Sequence, residues 1–181
     1  MILYPDFYFN NVKEIEMEFL NDHRIRGLLV DVDNTLIDTD RNMLEGAKEW
    51  CDNLKQNGVK VCIISNTNKI KKVQKVAMEL DIPYIAFAKK PAKKAFHKAM
   101  EMLKLVPNQM AIVGDQVTTD IWGGNRVGML TILTKPLDKK DILITKVKRP
   151  FEKIIINRYM KYMEREQAEI EREQAEMDKG G

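Results

Sequence analysis

Asp31-Val32-Asp33 follows a short apolar run, Gly27-Leu28-Leu29-Val30, and sets two acids one residue apart. If the run is a strand, side-chain alternation sends both carboxylates to one side. Carboxylates that close repel unless a cation or a shared proton lies between them. A hard divalent cation such as Mg²⁺ takes oxygen ligands and meets that need. Three further features stand in comparable places. Ser65-Asn66-Thr67 follows the β-rich run 59–64, and a hydroxyl with backbone N–H groups at such a turn suits phosphate oxygens. Lys89-Lys90-Pro91 follows residues 84–88, where an ammonium would neutralise a nucleophile and a transferring phosphoryl group. Gly114-Asp115 follows residues 110–113, with Asp120 five positions on. Asp115 is a candidate metal ligand there, and Gly114 admits a close backbone approach.

Each feature has a plainer reading when taken alone. An acid after a strand also caps a helix. Ser-Asn is a turn signal, Gly-Asp another, and a lysine pair is commonly solvated surface. The four occur in order at successive strand ends, and that conjunction separates a site from four coincidences.

The elements that must carry them follow from hydrophobic period. Residues 27–30, 59–64, 84–88, 110–113 and 130–133 read as five buried strands. Ala47, Trp50, Cys51 and Leu54 keep helical spacing, with Gly58 where a C-cap belongs. Ile70, Val73, Val76, Ala77 and Leu80 give a second helix. Pro91 suits the first turn of a third helix, with the face Ala92, Ala95, Phe96, Ala99 and Leu103; a short helix spans 120–127. Alternating strands and helices predict an α/β fold with a mostly parallel sheet covered on both faces. Ligands of such sheets bind at the carboxyl ends of the strands, where all four features fall.

The chain has 181 residues, enough for one cored domain and an appendage. The expected division is an α/β domain over 1–145 and a basic then acidic helical extension over 146–181. The net charge of +3 gives no argument for a nucleic-acid partner. Cys51 and Cys62 read as reduced, buried thiols. The first ten residues lack a signal-peptide pattern, and no apolar run reaches the ~20 residues of a membrane span. A cytoplasmic enzyme is expected, with peripheral membrane contact left open.

Together the motifs resemble the haloacid dehalogenase (HAD) superfamily of phosphohydrolases over roughly residues 22–135. Asp31, Asp33 and Thr35 match its Asp-x-Asp-x-Thr motif; Ser65 matches the second motif, Lys90 the third, and Gly114, Asp115 and Asp120 the fourth. The resemblance implies a Rossmann-like three-layer sandwich. It implies Asp31 as nucleophile and metal ligand, with Asp33 as general acid/base whose backbone carbonyl also meets Mg²⁺. It further implies Lys90 as the charge-neutralising catalytic lysine, Asp115 as metal ligand and Asp120 as its support. Thr35, Ser65 and Asn66 would bind phosphate. Lys89 stays open as an alternative to Lys90. Dehalogenases lack an acid at the position of Asp33, so phosphoryl transfer is the chemistry implied.

Thirty-one residues separate Asp33 from Ser65, which a helix and a strand nearly use up. No large cap domain fits, and an open site suits substrates that bring their own bulk. The wording is most similar to the YqeG-type subfamily, through Leu3-Tyr4-Pro5-Asp6, Gly114-Asp115-Gln116, Thr119-Asp120 and Gly124-Asn125-Arg126. That subfamily includes phosphatidylglycerophosphate phosphatases, which implies a part in phosphatidylglycerol synthesis. A soluble small-molecule or protein phosphate is the alternative substrate, and a non-catalytic RNA- or protein-binding protein the alternative class. Residues 135–161 carry nine Lys/Arg against three acids, a net +6. With Phe151, Ile154, Ile155 and Tyr159 they suggest either an interfacial helix on an anionic phospholipid surface or a helix packed on the sheet. Residues 162–181 reverse the sign to −4, from three basic and seven acidic side chains, and hold a seven-residue repeat. Its partner positions are Glu166 and Glu173, which favours a solvated helix over a coiled coil. Oligomeric state is not legible.

Overall fold

The computed structural model describes residues 2–138, 154–165, 168 and 171. The chain falls into two compact units, Met1–Leu143 and Ile144–Gly181.

The first unit is built on six strands: β1 (Phe7–Phe9), β2 (Gly27–Val30), β3 (Lys60–Ile64), β4 (Tyr84–Ile85), β5 (Met110–Gly114) and β6 (Leu130–Thr134). Their order is β1-β6-β5-β2-β3-β4, and every pairing is parallel. The helices are α1 (Met17–Asp22), α2 (Ala47–Gln56), α3 (Ile70–Leu80), α4 (Lys93–Leu103) and α5 (Trp122–Val127). The α/β class with a parallel sheet is as the sequence predicts.

Side-chain alternation along the central strands makes two cores. Leu28, Val30, Val61, Ile63, Ala111 and Val113 face α2 and α3 through Trp50, Leu54, Val73 and Leu80. Leu29, Cys62, Ile64, Met110 and Ile112 face α4 through Ala95, Phe96, Ala99 and Leu103. Helices therefore cover both faces, giving three layers. Burial pushes the thiol of Cys51 up to about 11 and that of Cys62 up to about 12, so both are poor nucleophiles.

Three expectations shift. β1 is an additional strand, joined to β6 at the sheet edge. β4 pairs over two residues only, because the chain turns away after Ile85 to deliver Lys90. α4 begins at Lys93 with Ala92 as its N-cap, so Pro91 lies just outside it. Gly58 does stand past the end of α2, at φ +81°, where a left-handed residue is needed.

The Leu3–Asp6 segment is held to the far edge of the sheet. The Asp6 carboxylate accepts from Thr131 N and Oγ1, at 2.7 and 2.9 Å. Asn125 Nδ2 donates to the carbonyls of Ile2 and Tyr4. Gly123 and Gly124 let α5 lie directly against Phe96 and against Ile112 and Thr131.

In the second unit residues 154–165 are helical, with Ile155 and Tyr159 buried one turn apart and Ile154 exposed. Two of the four apolar residues considered for an interfacial helix are thus buried rather than exposed. Lys146, Lys148, Arg149, Phe151 and most of the heptad-like tail lie outside the described residues. Among the described residues no helix is long and apolar enough to cross a membrane.

Candidate active site

Three parallel strands, β2, β3 and β5, end side by side, and the next residue of two of them is an acid. Asp31 follows β2 and keeps sheet register, its N–H donating to the Val113 carbonyl at 2.9 Å. Asp115 follows β5. The chain then makes a π-helical turn, Val117–Ile121, before α5. That turn swings Asp120 back under the strand end. Carboxylate oxygens of Asp31, Asp115 and Asp120 lie within 4.8 Å of one another, all three residues buried.

Gly114 is what allows this. A Cβ there would come within 2.8 Å of the Asp120 Cβ and closer still to its carboxylate. The close approach foreseen at Gly114 is therefore with an acid of the site itself.

Lys90 supplies the counter-charge. Its Nζ lies 2.6 Å from Asp31 Oδ1 and 2.6 Å from Asp120 Oδ1, and donates to the Ile64 carbonyl at 2.7 Å. The side chain is 1% exposed. Burial alone would lower the Lys90 pKa, but Asp120 and Asp31 outweigh it and hold it above its usual value. The ammonium therefore persists throughout the working pH range. Lys89 is exposed, so only one of the two lysines enters the acid cluster.

Burial pushes the Asp31 carboxyl up to about 6; Lys90 opposes the rise, and the nearby Asp120 charge adds to it. Three carboxylates face one ammonium, an excess of two negative charges inside the protein. A hard divalent cation offsets that excess and takes oxygen donors, so the residue set fits such an ion. Asp120 is the least available ligand. Its Oδ1 meets Lys90, and its Oδ2 accepts from the Gln116 N–H at 3.2 Å.

The remaining predicted residues fall into two groups. Ser65, buried at the end of β3, accepts from the Thr67 N–H at 3.2 Å, which fixes its hydroxyl in the turn. The Thr35 hydroxyl is buried without a hydrogen-bond partner among the described residues. The Asn66 side chain clasps a neighbouring loop. Its Oδ1 accepts from Lys90 N at 2.6 Å and its Nδ2 donates to Lys90 O at 3.0 Å. The amide thus locks the backbone that carries Lys90. Asp33 does not join the carboxylate cluster; its side chain, about a third exposed, turns to the Lys72 ammonium.

Lys72 was not singled out in the sequence. It lies in the first turn of α3, where the helix dipole disfavours a cation. Lys71 shares that turn, so the sequence holds no signal that picks out Lys72.

No domain is inserted between residues 31 and 120. The loop after Asp33 forms a small flap instead, through bridges Asp33–Ile37 and Ile37–Met43. Its tip is tied down where Thr39 Oγ1 donates to Asp138 at 2.5 Å.

A parallel three-layer sheet with acid, hydroxyl, lysine and acid at successive strand ends defines a hydrolase class. Residues 40–128 match the family model for haloacid dehalogenase-like hydrolases. The chain is also 38% identical over 154 residues to the probable phosphatase YqeG of Bacillus subtilis, covering 84% of this chain and 89% of that protein. The chain belongs to the haloacid dehalogenase-like hydrolases. It is an enzyme, a phosphatase of that family. Glyceraldehyde 3-phosphate phosphatase of Pyrococcus furiosus is 35% identical over 98 residues, 50% of this chain and 41% of that protein. The solved structure of an uncharacterized protein from Corynebacterium glutamicum shares the fold, with a TM-score of 0.52 at 22% identity, over 67% of this chain and 93% of that one.

Proposed function

We propose that the enzyme is a Mg²⁺-dependent phosphomonoester hydrolase that works through an aspartyl-phosphate on Asp31, with phosphatidylglycerophosphate as its substrate. The observation that carries the chemistry is Asp31 itself. It is a buried carboxylate beside a permanent ammonium, at the end of a central strand, with a second acid two residues on. In the first half-reaction an Asp31 oxygen attacks phosphorus and the P–O ester bond breaks. Asp33 gives its proton to the departing alkoxide, releasing an alcohol. In the second, Asp33 takes a proton from water, which attacks the aspartyl-phosphate and returns the Asp31 carboxylate with inorganic phosphate. Splitting hydrolysis this way replaces one high barrier with two lower ones. Lys90 offsets charge on the phosphoryl oxygens throughout. Asp31 and Asp115 would hold the metal, with the Asp33 carbonyl. When bound, the ion supplies Lewis-acid stabilisation of the phosphoryl oxygens. Ser65 and Thr35 offer hydroxyls to the phosphate, while Asp120 and Asn66 hold Lys90 in place.

The lipid substrate is supported by three things. No domain is inserted between the site residues, and among the described residues of the first unit the 33–43 flap is what stands beside the site. The sequence is similar to the YqeG-type subfamily at both ends of the domain. The probable phosphatase YqeG matches over most of both chains. The test is a phosphate-release panel, with and without Mg²⁺, that sets phosphatidylglycerophosphate in detergent micelles beside soluble sugar, triose and peptide phosphates. Fastest turnover of the lipid ester, abolished by EDTA, is expected. Preference for a soluble ester would replace the lipid reading with the soluble one, and no release from any ester would point to the binding-protein alternative.

A further inference from the structure

We infer that the rim of the active site, formed by the starts of α3 and α4 and the loop after β4, is a docking surface for an anionic lipid bilayer. The inference takes its substrate from the lipid reading above but rests on separate observations.

Two chain segments meet at this rim. The Phe87 N–H donates to the Thr67 carbonyl at 3.4 Å, Ala88 N–H to the Ser65 carbonyl at 3.0 Å, and Asn66 clasps the Lys90 backbone. Residues 66–78 and 86–100 together contain nine lysines and no acid. Two of these lysines enter the site, Lys72 at Asp33 and Lys90 at Asp31, so the basic rim is continuous with it. Lys69, Lys71, Lys89 and Lys93 are exposed.

Their placement runs against local stability. Neither α3 nor α4 has an acid in its first turn, and both begin with lysines at the positive end of the helix dipole. Lys72 and Lys90 are paired with acids of the site, but the exposed Lys69, Lys71, Lys89 and Lys93 repel the dipoles and each other, and an external anion would relieve both. Two large apolar side chains stand among them. Ile70 is 46% exposed and Phe87 51% exposed. Phe87 has φ +51°, a left-handed conformation that a bulky residue rarely adopts, and it points the ring outward rather than into the core.

Exposed apolar side chains ringed by lysines match a bilayer interface, where rings enter the acyl boundary and ammonium groups meet lipid phosphates. Nucleic acid would use the lysines but gives the isoleucine no partner. Docking here would bring the site mouth to the headgroup layer, where a lipid phosphate monoester lies.

Flotation of the 181-residue chain with vesicles tests this. Phosphatidylcholine vesicles carrying phosphatidylglycerol should bind it, and pure phosphatidylcholine vesicles should not. Neutralising Lys71→Gln and Lys93→Gln together should weaken binding about 25-fold, near fivefold per lysine. Ile70→Gln with Phe87→Asn, the latter chosen because Asn tolerates positive φ, should weaken binding at high salt, where the charge contribution is screened. Both double variants should hydrolyse a soluble aryl phosphate at the wild-type rate, which reports that they are folded. Charge reversal at Lys146, Lys148 and Arg149 should leave most binding in place. Wild-type binding by both rim variants, no binding by the wild type, or preference for homopolymeric RNA over anionic vesicles would overturn the inference. Vesicle binding without turnover of phosphatidylglycerophosphate would defeat the substrate reading and leave the docking surface standing. Turnover in micelles without vesicle binding would do the reverse.

Discussion

Replacing Asp31 with Asn should make the metal-free protein more stable while destroying its activity. Burial raises the Asp31 carboxyl to about 6 from the ordinary 3.8, even against the Lys90 ammonium. The folded state thus keeps a proton that the unfolded chain has released between those two values. Stability from this group is fully present below about 3.8 and is lost as pH rises through about 6. The gap corresponds to about 3 kcal/mol. Asp31→Asn keeps the shape and removes the ionisation. It also deprives Lys90 of one partner, but Asp120 remains at 2.6 Å. The expected gain in EDTA near neutral pH is about 1–3 kcal/mol, or a melting temperature higher by roughly 3–10 °C for a chain of this size. At about pH 4 the two proteins should melt together. Added Mg²⁺ should raise the wild type at neutral pH and the variant much less, because the ion offsets the excess charge that the variant has lost. Thermal melts across pH, with EDTA or Mg²⁺, read all of this. A variant that melts at or below the wild type in EDTA at every pH would refute the reasoning.

Two other substitutions probe the supports of the site. Gly114→Ala should drive a methyl into the Asp120 carboxylate, costing about 1–3 kcal/mol in urea melts and lowering kcat at least tenfold by displacing Lys90; full activity would show that Asp120 does not hold Lys90. Lys72→Met should raise KM for a soluble phosphate ester about fivefold or more with a smaller change in kcat, because one cation near the incoming phosphate is lost while Asp31 and Lys90 stay.

The sequence reveals the frame and the polar groups at its strand ends more readily than the contacts among them. The central strands are buried on both faces, so Leu28–Val30 and Ala111–Val113 appear as unbroken apolar runs whose ends can be read directly. Asp31, Ser65, Lys90 and Asp115 are legible because a parallel sheet forces its strand ends together. β1 is less legible. Phe7, Tyr8 and Phe9 make a three-residue edge strand with one exposed position, too short to show a period. Asn66 and Lys72 depend on tertiary placement. An Asn after Ser signals a turn equally well whether its amide meets phosphate or a neighbouring loop. Lys72 is one of four lysines in residues 66–78, and nothing local marks it as the one that reaches Asp33. The space under Gly114 is likewise invisible until the π-helical turn brings Asp120 back.

The central claim is covalent, and trapping tests it most directly. Protein mixed with labelled phosphate ester and Mg²⁺, then quenched in acid within one turnover, should carry one hydroxylamine-labile phosphoryl group, placed on Asp31 by peptide mass spectrometry and missing from Asp31→Asn. Turnover without any labelled protein, or an Asp31→Asn variant that still releases phosphate, would contradict the account.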